Sequence, residues 1–259
     1  METSITSLTV KERNGRKWQW WHTAGVFAAA IALLVLLYQY LAPVSAQERV
    51  HHFFDSVFTT EILFYIAAGL CAQLVDGALG MAYGATSSSL LLGMGVSPSV
   101  SSASVHVAEV FTTGASGISH FKLGNVNKKL FLCLLIPGMI GAISGAWLLS
   151  EKIDGDIIKP FISAYLLILG VIVIKKGIQH RKRKGKTRRL GPLAFFGGFM
   201  DAIGGGGWGP IVTSTLLSKG RTVHYTIGSV NAAEFFISLS SAATFLLFTG
   251  ISSWQVIIG

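Results

Sequence analysis

The chain has 259 residues, 51% of them hydrophobic and only 13% charged, and it contains 30 glycines. Soluble domains carry about 25% charged residues, so this composition, with its long apolar runs, excludes a single soluble domain. The net charge is +9, and the basic residues are concentrated in residues 175–189, between two apolar runs. No aromatic or motif-like pattern accompanies them, so they do not indicate a nucleic-acid partner.

The first predicted element is an apolar run over 24–42, preceded by the basic stretch "KERNGRK". The small residues at 44–46 are typical of a signal-peptidase site, which leaves a cleaved signal as the alternative. The run is longer than the core of about 7–15 residues in a signal peptide, and Trp18, Trp20 and Trp21 form an interfacial anchor before it. We predict that residues 1–60 hold a basic cytoplasmic tail and an uncleaved transmembrane helix.

Further apolar runs follow at 61–75, 102–121, 130–150, 157–174 and 223–249. Several reach the roughly 20 residues that a helix needs to cross hydrocarbon. The predicted fold class is therefore an all-α polytopic membrane protein. Cys71 and Cys133 lie inside apolar runs, without the spacing of a metal site or a disulfide framework, and are interpreted as packing residues.

An internal repeat covers much of the chain. Shifting the sequence by 125 residues places "DGALGMAYGATSSSLLLGMGVSPSVSSASVHVAEVF" on "DAIGGGGWGPIVTSTLLSKGRTVHYTIGSVNAAEFF" without a gap. The matched pairs include Asp76 with Asp201, Gly80 with Gly205, Tyr83 with Trp208, Gly84 with Gly209, Ser104 with Ser229, and Glu109 with Glu234. Such a repeat is a common sign of a duplicated architecture.

Each copy is predicted to contain an apolar arm, a glycine-rich break, a second arm, a turn and a full helix. The segments are 61–75, 76–84, 85–95, 96–101 and 102–121 in copy one, and 191–200, 201–209, 210–218, 219–223 and 224–249 in copy two. The domains are then repeat one with two trailing helices (61–174), a basic cytoplasmic linker (175–189), and repeat two (190–259). Repeat two is expected to be shortened, because few residues follow 249.

The two arms of a copy can form a hairpin or one broken crossing, and charge favours the hairpin. With a cytoplasmic N-terminus, hairpins put 18 of the 21 lysines and arginines on the cytoplasmic side and the acidic turn 151–156 outside. The repeats are then inverted, an architecture in which transporters bind substrate near the midplane. The basic linker 175–189 is expected to contact anionic lipid headgroups.

The glycine breaks are candidate anion sites. A helix that starts at membrane depth presents free N–H groups and the positive end of its dipole, and Pro210 suits such a start. The alternative is that these glycines only allow close helix packing, as expected for 138–145. Tyr83 and Trp208 either gate the cavity or fill space, and the serines either bind substrate or bond their own helix. The candidate substrate-binding residues are Gly80, Tyr83, Gly84, Ser87, Ser104, His106, Gly205, Trp208, Gly209, Thr213, Ser229 and Asn231.

Apart from Glu61 at the first position of its run, four acids lie within the predicted membrane segments of the two repeats, and no lysine or arginine lies in those segments: Asp76, Glu109, Asp201 and Glu234. Intramembrane carboxylates are costly and indicate function. Together they repel an anion and one another, so we expect some to be protonated, which predicts proton coupling. For the two aspartates, capping of helix ends is the alternative.

The segments "VDGALGMAYGATSSSLLLGMGVSPSVSSASVHVAEVFTTGASGISHFKLGNV" and "DAIGGGGWGPIVTSTLL…IGSVNAAEFF" resemble the TauE/SafE family of sulfite exporters over about residues 61–259. The resemblance implies a multi-pass plasma-membrane protein that moves small sulfur-containing anions such as sulfite or organosulfonates. It does not specify the anion.

The leading functional prediction is a secondary transporter that exports a small sulfur oxyanion, coupled to protons, without a cofactor, a resident metal or a catalytic residue. One alternative is a divalent-cation transporter, since carboxylates suit hard cations. Another is an intramembrane enzyme using His106 and Glu109, but the chain lacks a motif such as H-E-x-x-H.

Overall fold

The structure is a computed structural model that describes residues 60–79, 82–178 and 189–249. These segments belong to one compact unit, Thr60–Gly259. The predicted first transmembrane helix over 24–42, the site residue Gly80 and most of the basic linker 175–189 lie outside the described residues.

Repeat one contains three helices separated by short breaks. Helix α1 is Thr60–Leu79, α2 is Tyr83–Gly93 and α3 is Pro98–Lys122. Helix α1 continues one turn past the predicted end, so that Asp76 lies in its last turn and not in the break. Helix α3 begins four residues earlier than predicted, because Pro98 occupies the first turn, where a missing N–H is harmless.

Two long helices follow, and they agree with the predicted trailing helices to within a few residues. Helix α4 is Lys128–Glu151 and α5 is Gly155–Ile178. The Leu130 N–H donates to the Asn127 side chain at 3.0 Å, which caps the start of α4.

Repeat two contains α6 (Leu190–Gly204), a π-helical turn (Gly209–Thr213), α7 (Ser214–Ser218) and α8 (Val223–Thr249). Gly205 ends α6 in the left-handed conformation, with φ of 62°. Glycine adopts this conformation without a Cβ penalty. The second arm differs from the predicted single α-helix over 210–218, since its first turn is π-helical.

Local hydrogen bonds repeat with the same 125-residue shift as the sequence. After the second arm of each copy, the Gly95 N–H donates to the Leu92 carbonyl and the Gly220 N–H to the Leu217 carbonyl. Both glycines have positive φ, 91° and 80°. The Ser104 hydroxyl likewise bonds the Val100 carbonyl, and the Ser229 hydroxyl the Tyr225 carbonyl. The copies share local structure, while their opposite orientation in the membrane stays a prediction.

Helices α3, α4, α6 and α8 form the packed centre: α8 packs against α3 and α4, and α4 packs against α6. Small residues in the segment 138–145 bring α4 close to α6. A Cβ on Gly145 would lie 2.6 Å from the Phe199 carbonyl oxygen. The close helix packing expected for this segment is therefore confirmed.

Four helices in the described part of the chain are long and apolar enough to cross a membrane: α1, α4, α5 and α8. Their outward faces leave large apolar side chains exposed, including Leu74 and Leu247. Helix α3 was also predicted to span, but it is less apolar because its inward face buries His106, Glu109 and several serines. The prediction of an all-α polytopic membrane protein is confirmed, and the described residues contain no strand.

Candidate functional site

The glycine-rich breaks of the two repeats lie directly against each other. A Cβ on Gly84 would lie 2.8 Å from Gly206 Cα and 2.9 Å from the Gly205 carbonyl oxygen. A Cβ on Gly206 would overlap the Ala85 backbone nitrogen. The Ser88 hydroxyl donates to the Gly205 carbonyl at 2.6 Å and so ties the breaks together. Side chains at this junction would push the repeats apart, which explains why both breaks need glycine.

Two matched aspartates hold the starts of the second arms. Asp76 Oδ1 accepts hydrogen bonds from the Ala82 N–H at 2.7 Å and the Tyr83 N–H at 3.0 Å. Asp201 Oδ1 accepts from the Trp208 N–H, at the position matched to Tyr83, at 2.8 Å. These contacts are those of the capping alternative. They also occupy N–H groups that the sequence suggested as free donors for an anion.

A cavity of about 270 Å³ lies beside this junction. Its lining comes from both breaks and from the facing sides of α1, α3 and α8. The lining residues are Gln73, Asp76, Tyr83, Gly84, Ala85, Glu109, Thr112, Thr113, Ser116, Asp201, Gly206, Gly207, Gly209, Pro210, Thr213, Asn231 and Glu234. All four predicted coupling acids therefore face one cavity, whose described lining contains no lysine or arginine.

His106, which is fully buried, has two carboxylates from different repeats near its Nδ1 atom. Its Nδ1 atom is 3.0 Å from Glu109 Oε2 and 3.9 Å from Asp201 Oδ2. The Ser238 hydroxyl of α8 donates to the same Glu109 oxygen at 3.2 Å. Asp201 Oδ2 and His106 Nε2 are buried, and neither has a hydrogen-bond partner within the described segments. Ligand atoms of His106, Glu109 and Asp201 lie within 4.8 Å of one another, close enough to hold a cation between them.

Glu234, the counterpart of Glu109, has different surroundings. Asn231 stands at the position that matches His106, and its side-chain N–H₂ donates to the Ser116 hydroxyl of α3 at 2.8 Å. Asn231 and Glu234 both line the cavity. An amide does not titrate, so the repeat gives the two glutamates unequal chemistry: one has an imidazole beside it and the other does not.

Comparison with known proteins identifies the family. The family model described as "Sulfite exporter TauE/SafE" matches residues 65–259. The chain belongs to the TauE/SafE family. A protein of Bacillus subtilis (strain 168), named "Probable membrane transporter protein YtnM", is 47% identical to this TauE/SafE chain over 198 residues. The match covers 73% of this chain and 66% of that relative, so the chain spans just under two thirds of the relative's length. No solved structure matches.

In this TauE/SafE chain, some predicted substrate-binding residues lie away from the cavity lining. Trp208 is fully buried in an apolar cluster with Leu134 and Val212, and its ring N–H approaches the Val230 carbonyl at 3.4 Å. Its buried side chain fills space between helices and is not part of the cavity lining. The predicted residues outside the lining are Ser87, Ser104, His106, Gly205, Trp208 and Ser229, while Tyr83, Gly84, Gly209, Thr213 and Asn231 belong to it.

The serines outside the lining mostly bond the backbone of nearby segments. Ser104 bonds its own helix, and the Ser229 hydroxyl accepts from the Asn127 N–H at 2.8 Å, which fixes the connection before α4. Gly205 lies at the junction of the breaks, next to the cavity. Ser87 is buried near the junction.

Several residues at this candidate site were not predicted from the sequence. Thr112, Thr113 and Ser116 follow Glu109 by three, four and seven residues on α3, so helical periodicity from Glu109 would have predicted that they share its face. Tyr165 of α5 donates to the Gly206 carbonyl at 3.3 Å. It belongs to neither repeat copy, so no sequence signal indicated its position.

Proposed function

We propose that this protein is a secondary transporter that exports a small sulfur-containing anion, sulfite or an organosulfonate, across the plasma membrane with proton coupling. The cavity between the two helix breaks carries the proposal. Membership of the TauE/SafE family and the transporter name of the Bacillus subtilis relative support it. They also favour transport over an intramembrane enzyme.

The size and neutral polar groups of the cavity suit a small oxyanion. Its volume of about 270 Å³ is at or below the lower end of pockets for drug-sized ligands, which start at about 300 Å³. Hydroxyl and amide groups from both repeats face it, among them Ser116, Thr213 and Asn231. Such groups can replace the hydration shell of an oxyanion, and we assign them to substrate binding.

The four acids explain why the anion would move with protons. An anion entering a cavity with ionised Asp76, Glu109, Asp201 and Glu234 meets like charge, and the described lining offers no basic side chain to offset it. Protonation of one or more of these acids removes the repulsion and adds O–H donors for the anion. Anion binding and proton binding then favour each other, which is the thermodynamic condition for coupling.

Among the four acids we assign the main coupling role to Glu109. The His106 imidazole, whose Nδ1 atom lies 3.0 Å from Glu109 Oε2, can give or take its proton, and Asp201 Oδ2 lies 3.9 Å from the same nitrogen. Glu234 faces the cavity beside Asn231 and Ser116, which do not titrate near neutral pH. The shared proton would thus move between Glu109 of repeat one and Asp201 of repeat two.

Counterflow in proteoliposomes tests the substrate class. Vesicles preloaded with unlabelled sulfite or individual sulfonates should accumulate external labelled sulfite transiently, and Asn231→Ala should reduce this uptake. Ser240→Ala is the matched control, because its hydroxyl bonds only the Phe236 carbonyl and is exposed. Counterflow absent for every sulfur anion tested in the wild type would contradict the proposal.

A divalent-cation transporter is the second candidate function, and one observation favours it. The ligand atoms of His106, Glu109 and Asp201 lie within 4.8 Å of one another, and His with carboxylates is a common donor set for transition metals. The same vesicles distinguish the candidates, since uptake of a labelled divalent cation that is indifferent to sulfite would favour the cation function.

We also propose the orientation that the charge distribution favours. The N-terminus and the basic linker 175–189 face the cytoplasm, where the linker contacts anionic headgroups, and the turn 151–156 faces outward.

A further inference from the structure

A second concave surface lies on the other side of the contact between α3 and α8, and its lining shares Thr113 with the candidate anion cavity. It is a groove of about 590 Å³ between α3, α4 and α8, here called the lysine groove. Its walls are apolar and include Ile118, Phe121, Phe131, Leu132, Phe235 and Phe236. Gly114 and Gly117 lie in the groove lining where α3 approaches Phe235 and Ala232 of α8, and their lack of side chains allows the two helices to approach closely.

Two lysines stand at one end of this groove. Lys122 is the last residue of α3 and Lys128 the first of α4, and the short connection 123–127 keeps both at the same end. The first turn of α4 adds the positive end of a helix dipole. From Thr113 to Lys122 the groove follows α3 for about 14 Å, close to the depth of one leaflet.

We propose that the lysine groove binds an anionic phospholipid, with an acyl chain along the apolar walls and the phosphate group between Lys122 and Lys128. An apolar channel with positive charge only at the headgroup level matches the two halves of such a lipid. Basic pockets between transmembrane helices recognise anionic headgroups in the same way.

The charge at the end of the groove favours a phospholipid over two other occupants, a second copy of the chain and the helix predicted over 24–42. A second copy of the chain docked by the same groove would bring its own Lys122 and Lys128 to the same membrane level. The helix predicted over 24–42 is preceded by Lys11, Arg13, Arg16 and Lys17. Both occupants would add positive charge next to the lysine pair, whereas a phosphate group neutralises it.

The lipid would act on transport through α3 and α8. Thr113 lines both the lysine groove and the candidate anion cavity. Phe235, in the groove wall, adjoins Glu234, which faces the cavity. An acyl chain in the groove fills space beside the contact between α3 and α8, the helices that carry Glu109 and Glu234, and so stabilises the spacing of the cavity.

Lipid binding to the purified full-length protein tests this proposal. Native mass spectrometry after incubation with phosphatidylglycerol or phosphatidylcholine of identical acyl chains counts bound lipids and chain copies together. Two lysines near a lipid phosphate predict roughly a 30-fold preference for phosphatidylglycerol. Lys122→Ala/Lys128→Ala should remove most of this preference, while Lys152→Ala/Lys159→Ala, which also removes two charges, should keep it.

Leu132→Trp provides an independent test, because it narrows the groove and leaves both lysines in place. It should weaken binding of both lipids and keep the melting temperature of the lipid-free protein. Equal binding of the two lipids by the wild type would overturn the proposal. Retention of the preference in Lys122→Ala/Lys128→Ala would overturn it too. A dimer that binds the same number of lipids in the wild type and in these variants would also overturn it.

Discussion

At the scale of single residues, the unequal neighbours of Glu109 and Glu234 are the most informative feature. The sequence repeat aligns the two glutamates, but the structure gives Glu109 a bond to His106 and a second one from Ser238. Asn231, at the place of His106, instead bonds Ser116. A duplicated scaffold thus holds an asymmetric set of titratable groups, and a proton carrier needs only one of the two positions.

Glutamine substitutions test which of the two glutamates carries the proton. Glu109→Gln mimics the protonated acid, so it should keep sulfite counterflow but lose most of the stimulation of flux by an imposed pH gradient. Glu234→Gln should lose less of it, because no imidazole adjoins that residue. The measurement is flux with and without the gradient for each variant. If both variants respond to the gradient like the wild type, neither glutamate carries the proton.

At the scale of elements, the two aspartates show how the starts of the second arms are stabilised by hydrogen bonds across the helix breaks. Each accepts N–H groups at the start of the second arm, and Asp201 also leaves Oδ2 directed at His106 without a described partner. Asp76 and Asp201 therefore share the capping contact, while of the two only Asp201 also has an oxygen near the His106 imidazole, at 3.9 Å.

Paired substitutions distinguish capping from charge. Asn can accept the same N–H bonds as Asp, whereas Ala cannot. Asp76→Ala and Asp201→Ala should each lower stability by about 0.5–2 kcal/mol, as expected for a lost helix cap, and the Asn variants should lose little. Asp201→Asn should nevertheless weaken gradient-driven flux more than Asp76→Asn. Melting temperatures and flux for the four variants check this, and equal destabilisation by Asn and Ala would rule out capping.

Much of the fold follows from local sequence patterns. Apolar run length predicted α4, α5 and α8, and the gap-free repeat predicted a glycine-rich break followed by a second arm in each copy. The C-terminal end of α1 and the π-helical turn Gly209–Thr213 were not predicted. The contact between Gly84, Gly205 and Gly206 was not predicted either, because it joins residues far apart in sequence and no periodicity within one segment encodes it.

The candidate site was predicted less completely, for a similar reason. The four acids were found because an ionised group in an apolar run costs free energy whichever side of the helix carries it. Serines and aromatic residues carry no such cost. Trp208 and Ser229 could therefore be assigned to packing only once Leu134 and Asn127 were seen beside them.

At the scale of the whole molecule, orientation in the membrane follows from charge alone and is open to direct measurement. In a background without Cys71 and Cys133, a membrane-impermeant thiol reagent applied to intact cells should modify Gly155→Cys and spare Gly185→Cys. Modification of both after permeabilisation is the control. The reverse pattern in intact cells would contradict both the inverted arrangement of the repeats and the proposed direction of export.

The junction of the two breaks is the centre of the proposed transport site, and one comparison tests it most directly. Gly206→Ala adds a single methyl group that would overlap the Ala85 backbone nitrogen, whereas a Cβ on Gly77, only one residue beyond Asp76, meets nothing within 4 Å. Overpacking of this kind costs about 1–3 kcal/mol, so both variants should still reach the membrane. Labelled sulfite counterflow should then fall to the level of protein-free liposomes for Gly206→Ala and match the wild type for Gly77→Ala. Wild-type counterflow through Gly206→Ala would contradict the assignment of the transport site to this junction.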